Sequence, residues 1–259
     1  MNDTNRQRLY DTELPINREQ LRDRWKAGER FEFYLFYGHK QKFGQVDASC
    51  LSQWFDRDFT INGIEYATAE HWMMAEKARL FEDSFMLEAI LDSAGPKEAK
   101  AFGRKVQNFD QAEWEQHRFE IVRRGNHAKF DQNDDLKEFL LSTDSAVEVD
   151  YGMVAEPKTD YQTRTKDPDS AEPSLSVFGA RQSEIDPLEV DSLDGSSVGG
   201  SKLEGSNVIL VEAAGRDVIW GIGLGQNNPK SRDPLLWRGR NLLGFALTVV
   251  REQLRKEST

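Results

Sequence analysis

The stretch Thr68–Phe81, TAEHWMMAEKARLF, decides how this chain is read. It predicts a helix whose apolar arc carries two charges. Wound at about 100° per residue, Met73, Met74, Leu80 and Phe81 fall on one side. Glu70 and Lys77 fall in the middle of that side, about 20° apart after seven residues. Two readings stay open from geometry alone. Either the stems pack while the charged heads snorkel to water, or burial lowers the lysine pKa and raises the carboxylate's, as a reactive site requires. A neutral amine is a nucleophile towards a sugar aldehyde, and a carboxylate can move protons beside it.

Working upstream, Phe59-Thr60-Ile61 and Ile64-Glu65-Tyr66 flank Asn62-Gly63, the strongest short hairpin signal. Phe31–Tyr37 (FEFYLFY) is a dense aromatic strand signal without alternation, which predicts a strand inside a sheet. Residues 1–28 are polar and read as an extension, with a short helix over Arg18–Gly28. Downstream, Asp83–Ser93 is helical, Gly95-Pro96 stops it, and Lys97–Val106 starts afresh. Asp110 caps a long helix over Gln111–Phe130, with Glu113 in capping-box position. Its inner side holds Trp114, Ile121, Val122, Gly125 and Ala128, with Arg118 and Lys129 among them. Asp134-Asp135 open a further helix through Leu141.

Periodicity stops after Val149. Residues 150–206 are rich in Ser, Asp, Glu, Pro and Gly and predict a flexible acidic insertion. From Asp144 to Glu204 there are about 14 acidic and about 5 basic residues, roughly nine of the eleven excess negative charges. The formal charge of -11 therefore belongs mostly to this segment and does not argue against a nucleotide or nucleic-acid ligand. Pattern resumes at Asn207–Glu212, a strand, and a last helix spans Asn241–Arg255. The expected organisation is one α+β domain, residues 29–149 and 207–256, split by the insertion.

Composition limits the classes. With 38% hydrophobic and 31% charged residues the chain reads as a soluble protein. Cys50 alone allows no internal disulfide and points to a reducing compartment. The polar start reads as no signal peptide, and the run LLGFALTVV is about half a bilayer span. A cytoplasmic protein without membrane partners is the expectation. Four scattered histidines form no cluster at metal spacing, so no metal and no cofactor are expected. GxSxG, Walker and HExxH patterns are absent. Two further groups interrupt apolar pattern. Arg104, Lys105, Arg118 and Lys129 are ordinarily surface charges, but gathered they would suit a phosphate. Trp220-Gly221-Ile222-Gly223-Leu224-Gly225 is weak evidence for a phosphate cradle and more often serves turns.

In order, the segments WFDRDFTINGIEYATAEHWMMAEKARLF, EAKAFGR (Glu98–Arg104), Trp114 with Arg118, HAKFDQNDDLKEFLLST (His127–Thr143), DVIWGIG (Asp217–Gly223) and GRNLLGFALTVVREQL (Gly239–Leu254) resemble the NADAR, or YbiA-like, family. The resemblance covers roughly residues 31–149 and 207–255. Gln53, within Ser52-Gln53-Trp54-Phe55, departs from the asparagine often found there. The resemblance implies a single, predominantly helical α+β domain with a small sheet or hairpin. It also implies a metal-independent N-glycosidase for ribosyl-nitrogen bonds, either removing ADP-ribose from guanine in nucleic acid or nucleotide, or cleaving phosphoribosylamino-pyrimidine intermediates of riboflavin synthesis. By motif position Lys77 would form a Schiff base with the opened ribose, and Glu70 would do acid/base work. Asp217 would bind ribose hydroxyls or assist proton transfer. Trp54, Arg104, Lys105, Trp114, Arg118, Lys129, Trp220 and Gly221 would line the substrate site, while Asn241 would bind phosphate or cap the last helix. The rival from another class is a non-catalytic ADP-ribose or NAD-binding module in which Glu70 and Lys77 are a static ion pair. The substrates, ADP-ribosylated DNA or RNA among them, are the expected partners, and a protein partner for the insertion is unassigned.

Overall fold

Asn62 and Gly63 take positive φ, 55° and 76°, as a two-residue type I′ turn requires. They join β2 (Phe59–Ile61) to β3 (Ile64–Tyr66), antiparallel with Phe59 opposite Tyr66. The computed structural model describes residues 12–41, 44–144 and 207–258. The predicted flexible insertion lies outside the described residues.

Helices dominate. In chain order they are α1 (Arg18–Lys26), α2 (Ala69–Leu80), α3 (Ser84–Leu91), α4 (Pro96–Gly103), α5 (Gln111–Asp131), α6 (Asp134–Ser142) and α7 (Leu242–Glu257). The predicted α+β class with a small sheet is the observed one. Caps explain several starts: Asp83 accepts from Met86 N at 3.0 Å and Asp110 from Glu113 N at 2.7 Å. Glu113 closes no capping box by an observed bond; its carboxylate meets His117 Nε2 at 2.9 Å.

The aromatic run needs a correction. β1 (Glu32–Phe36) pairs in parallel with β4 (Val208–Glu212), Glu32 opposite Val208, and among the described residues it has no second neighbour. It is thus not an interior strand. Alternation is missing because both faces are covered. Phe33 meets Trp25 and Trp237 at centroid distances of 5.7 and 5.4 Å, while the next residue, Tyr34, meets Phe139 at 6.5 Å. The polar extension is also corrected: Leu14, Ile16 and Leu21 are buried in the common core, and Arg18 Nη1 donates to Gly239 O at 3.1 Å.

α7 closes the domain against β4. Thr248 Oγ1 accepts from Leu210 N at 3.0 Å. Fully buried Arg251 spans the break in the described chain: its Nη1 donates to Thr143 Oγ1 at 3.2 Å and its Nη2 to Val208 O at 2.5 Å. Asp144 supplies a carboxylate oxygen 2.9 Å from its Nε. One guanidinium so joins the end of α6 to the start of β4. Arg251→Ala would strand these acceptors and is expected to cost about 3–5 kcal/mol in urea unfolding. An unchanged unfolding midpoint would show that the bridge adds nothing.

Candidate active site

α2 answers the question posed by its sequence by burying two faces differently. Ala69, Trp72, Ala75 and Ala78 are in the core, and Trp72 Nε1 donates to Ile121 O at 2.7 Å. Glu70, Met73, Met74 and Lys77, at the i, i+3, i+4, i+7 spacing, floor a cleft of about 110 Å³. Lys100, Gly103 and Arg104 form one wall, and Trp114 of α5 and Trp220 the rest. Gly103 is fixed by closeness, since a side-chain carbon there would collide with Met74 Sδ. The apolar arc is therefore a cleft floor, with its two charges inside.

Glu70 is 2% exposed, and burial raises its pKa. Opposing that rise, in decreasing order, are Lys100 and a hydrogen bond with the Trp54 side chain; Asp217 adds to it. The nearest cation, Lys100 Nζ, is 3.8 Å from Oε1, and that buried oxygen has no hydrogen-bond partner among the described residues. Lys77 is half-buried, and burial lowers its pKa. Its Nζ donates to Gly103 O at 2.7 Å and lies 4.1 Å from the Phe109 ring centroid and 6.0 Å from that of Trp114. The static pair of the binding-module reading is not formed: Glu70 faces Lys100, and Lys77 faces a carbonyl. Both shifts run towards a neutral amine and a protonated carboxyl in one cleft.

The other predicted residues divide. Trp54 lies beside the cleft, with Lys100 Nζ 5.6 Å from its ring. Asp217 is coupled electrostatically to Glu70, but its Oδ1 is occupied in turning the loop, accepting from Ile219 N at 2.8 Å and Trp220 N at 2.7 Å. That turn presents Trp220. Gly221 is a packing glycine, because a Cβ would come 2.7 Å from Glu212 O. Arg118 lies one turn beyond Trp114 on α5, 3% exposed.

Three placements differ from expectation. Lys105 is exposed, its Nζ 5.5 Å from the Phe102 ring, and does not line the cleft. Lys129 is fully buried, donating to Cys50 O at 2.7 Å and Ser52 O at 3.0 Å. Burial lowers its pKa to about 8, and those carbonyls, not a phosphate, are its partners. Asn241 stands at the helix start but makes no cap bond; its Oδ1 accepts from Glu212 N and its Nδ2 donates to Leu210 O, both at 3.0 Å. The amide fastens β4, which occupies it for phosphate as well. Gln53, the family departure, accepts from Asn126 Nδ2 at 2.8 Å.

Sequence reading missed Lys100, Phe109 and Glu212. Burial drives the Glu212 pKa up to about 8, assisted by Asp217 and Glu70 and opposed by Lys100. Lys100 was visible as the member of EAKAFGR one turn before Arg104, on the face that Gly103 brings to α2. Glu212, an acid ending an otherwise apolar strand, was visible too; Phe109 sits in a loop and gave no pattern. No group of three or more His, Cys, Asp or Glu suited to a metal occurs among the described residues. No described helix is long and apolar enough to cross a membrane.

A helical α+β domain with a half-buried lysine and a buried carboxylate in one cleft defines the class of architecture. The NADAR domain pattern matches residues 35–152 and 202–255. An N-glycosidase of Acanthamoeba polyphaga mimivirus is 30% identical over 225 residues, 85% of this chain and 95% of the relative. The N-glycosidase YbiA of Escherichia coli strain K12 is 28% identical over 116 residues, 45% of this chain and 68% of that protein. The NMR structure of the E. coli protein YbiA aligns with a TM-score of 0.52 and 20% identity over 89% of each chain, a likeness of fold. The chain belongs to the NADAR family.

Proposed function

We propose that the protein is an N-glycosidase that removes ADP-ribose from modified guanine, in nucleic acid or nucleotide, through a Schiff base on Lys77. The observation that carries this reading is the shared cleft of Lys77 and Glu70, with burial shifting both towards their neutral forms. The names of the relatives support the bond class.

The chemistry follows from the two groups. With the ribosyl ring opened, neutral Lys77 Nζ adds to C1′. The C1′–N bond to the base then breaks, and protonated Glu70 gives its proton to the departing nitrogen. The amine returns a proton to Glu70 as the imine forms. Water adds to the imine carbon, leaving the sugar as an aldehyde and restoring the amine, so one water is consumed overall. Trp114 and Trp220 offer apolar walls to a planar base. Arg104, exposed at the cleft edge, offers charge to a phosphate.

Incubation with ADP-ribosylated guanine oligonucleotide and, in parallel, with phosphoribosylamino-pyrimidine tests the substrate. Release of ADP-ribose from the first alone is expected. Cleavage of the second alone transfers the reading to the riboflavin intermediate. Binding of ADP-ribose with no turnover of either substrate would return the protein to the non-catalytic class.

A further inference from the structure

Arg118 is an expensive cation. It is 3% exposed, yet among the described residues its side chain makes no hydrogen bond. Its one ion pair, Nη2 to Glu115 Oε1, is 3.6 Å long. A buried guanidinium normally repays its desolvation through several short bonds or bidentate pairing. Arg240, from the segment leading into α7, approaches the same carboxylate, Nη1 lying 3.8 Å from Glu115 Oε2. The two guanidiniums also repel one another electrostatically. Glu115 is held more closely by a neutral group, accepting from Gln111 Nε2 at 2.6 Å.

The position is next to the cleft. Arg118 follows Trp114 by one turn of α5, about 40° round the helix. Arg240 is carried there because Arg240 N donates to Val218 O at 3.0 Å and Leu243 N to Trp220 O at 3.1 Å, folding this segment against the Trp220 turn. The seat has two guanidiniums on separate elements and a single carboxylate loosely between them. Glu115 is an exposed side chain that can swing out, whereas Arg118 cannot.

We propose that Arg118 and Arg240 form a seat for a phosphate or diphosphate of the substrate, and that Glu115 occupies it as an internal counter-ion until that anion displaces it. A carboxylate gives one negative charge and two oxygens; a phosphate gives more charge and three oxygens, and so can bridge both guanidiniums by short charge-assisted bonds. Arg240 and Glu115 become specificity determinants: the anion must outcompete Glu115, which favours di- and pyrophosphate esters over unphosphorylated ribosides. This rests on the proposed ribosyl substrate but can be tested without turnover.

The test is calorimetry of the full chain with ADP-ribose, inorganic pyrophosphate and adenosine. Glu115→Gln removes the competitor and is expected to tighten ADP-ribose and pyrophosphate about fivefold, leaving adenosine unaltered. Arg240→Ala is expected to weaken the two anions about tenfold. Both sites are solvent-accessible, so both variants should fold, and Arg118→Lys provides a buried companion expected to weaken the anions. In steady-state assays the changes should fall on KM. Unchanged anion affinity in Glu115→Gln and Arg240→Ala, or equal changes for adenosine, overturns the seat. If the anion effects appear while no N-glycosidic bond is cleaved, the seat stands and the proposed reaction falls.

Discussion

Lys77→Ala is expected to reduce turnover by about a thousandfold or more while leaving a folded protein. The size follows from what is removed. A nucleophilic amine splits a difficult substitution into two easier steps, and no neighbouring group replaces it. Lys100 is the nearest alternative in the cleft, but its Nζ is turned to Glu70, 3.8 Å from Oε1. Folding should survive, because Lys77 spends one hydrogen bond on Gly103 O, at about 1 kcal/mol. Alanine also suits a helix interior better than lysine does. Lys77→Arg sharpens the result: it keeps a cation and the reach towards the carbonyl, yet a guanidinium cannot form the imine. Borohydride added during turnover should reduce the imine and leave a sugar mass on the peptide containing Lys77. Wild-type rates in folded Lys77→Ala, or an adduct mapped to Lys100, would take the nucleophile's role from Lys77.

Much of the fold was legible because local signals and tertiary packing agree. Asn62-Gly63, Asp83, Asp110 and Gly95-Pro96 each mark a turn or helix start by backbone chemistry that needs no distant partner. The FEFYLFY run failed for the opposite reason. Missing alternation reports cover on both faces, and a sequence cannot tell neighbouring strands from the Trp25, Trp237 and Phe139 rings that provide it here. The site divides along the same line. Glu70 and Lys77 could be paired from helix geometry, since seven residues fix their angle. Lys129 and Asn241 could not be placed, because their partners are backbone carbonyls and amides of distant segments. Cations inside an apolar pattern thus have two outcomes. Lys129 is consumed by Cys50 and Ser52, whereas Arg118 retains unused capacity beside the cleft. Pattern alone assigns both to the same class.

Glu70→Gln is expected to lower turnover about 10²–10⁴-fold and to change the shape of the pH profile. On the proposed mechanism the wild-type rate follows the product of two fractions, neutral Lys77 and protonated Glu70. Burial lowers the first pKa and raises the second, which enlarges that product near neutrality. The sign is independent of which pKa lies lower. Rising pH increases neutral lysine until its fraction is complete, while protonated carboxyl declines throughout; at high pH only the decline remains. The wild-type profile should therefore fall on the alkaline side. Glutamine cannot lose a carboxyl proton, so the residual rate of the variant should rise with lysine deprotonation and then level off. Such a plateau assigns the departing base's proton to Glu70. A persistent alkaline fall assigns it elsewhere, and Glu212 is the next group to test, because its pKa is held at about 8 and it is coupled to both Glu70 and Lys100. Glu212→Gln separates the two: if Glu70 is the donor, this second substitution preserves the alkaline fall that Glu70→Gln abolishes.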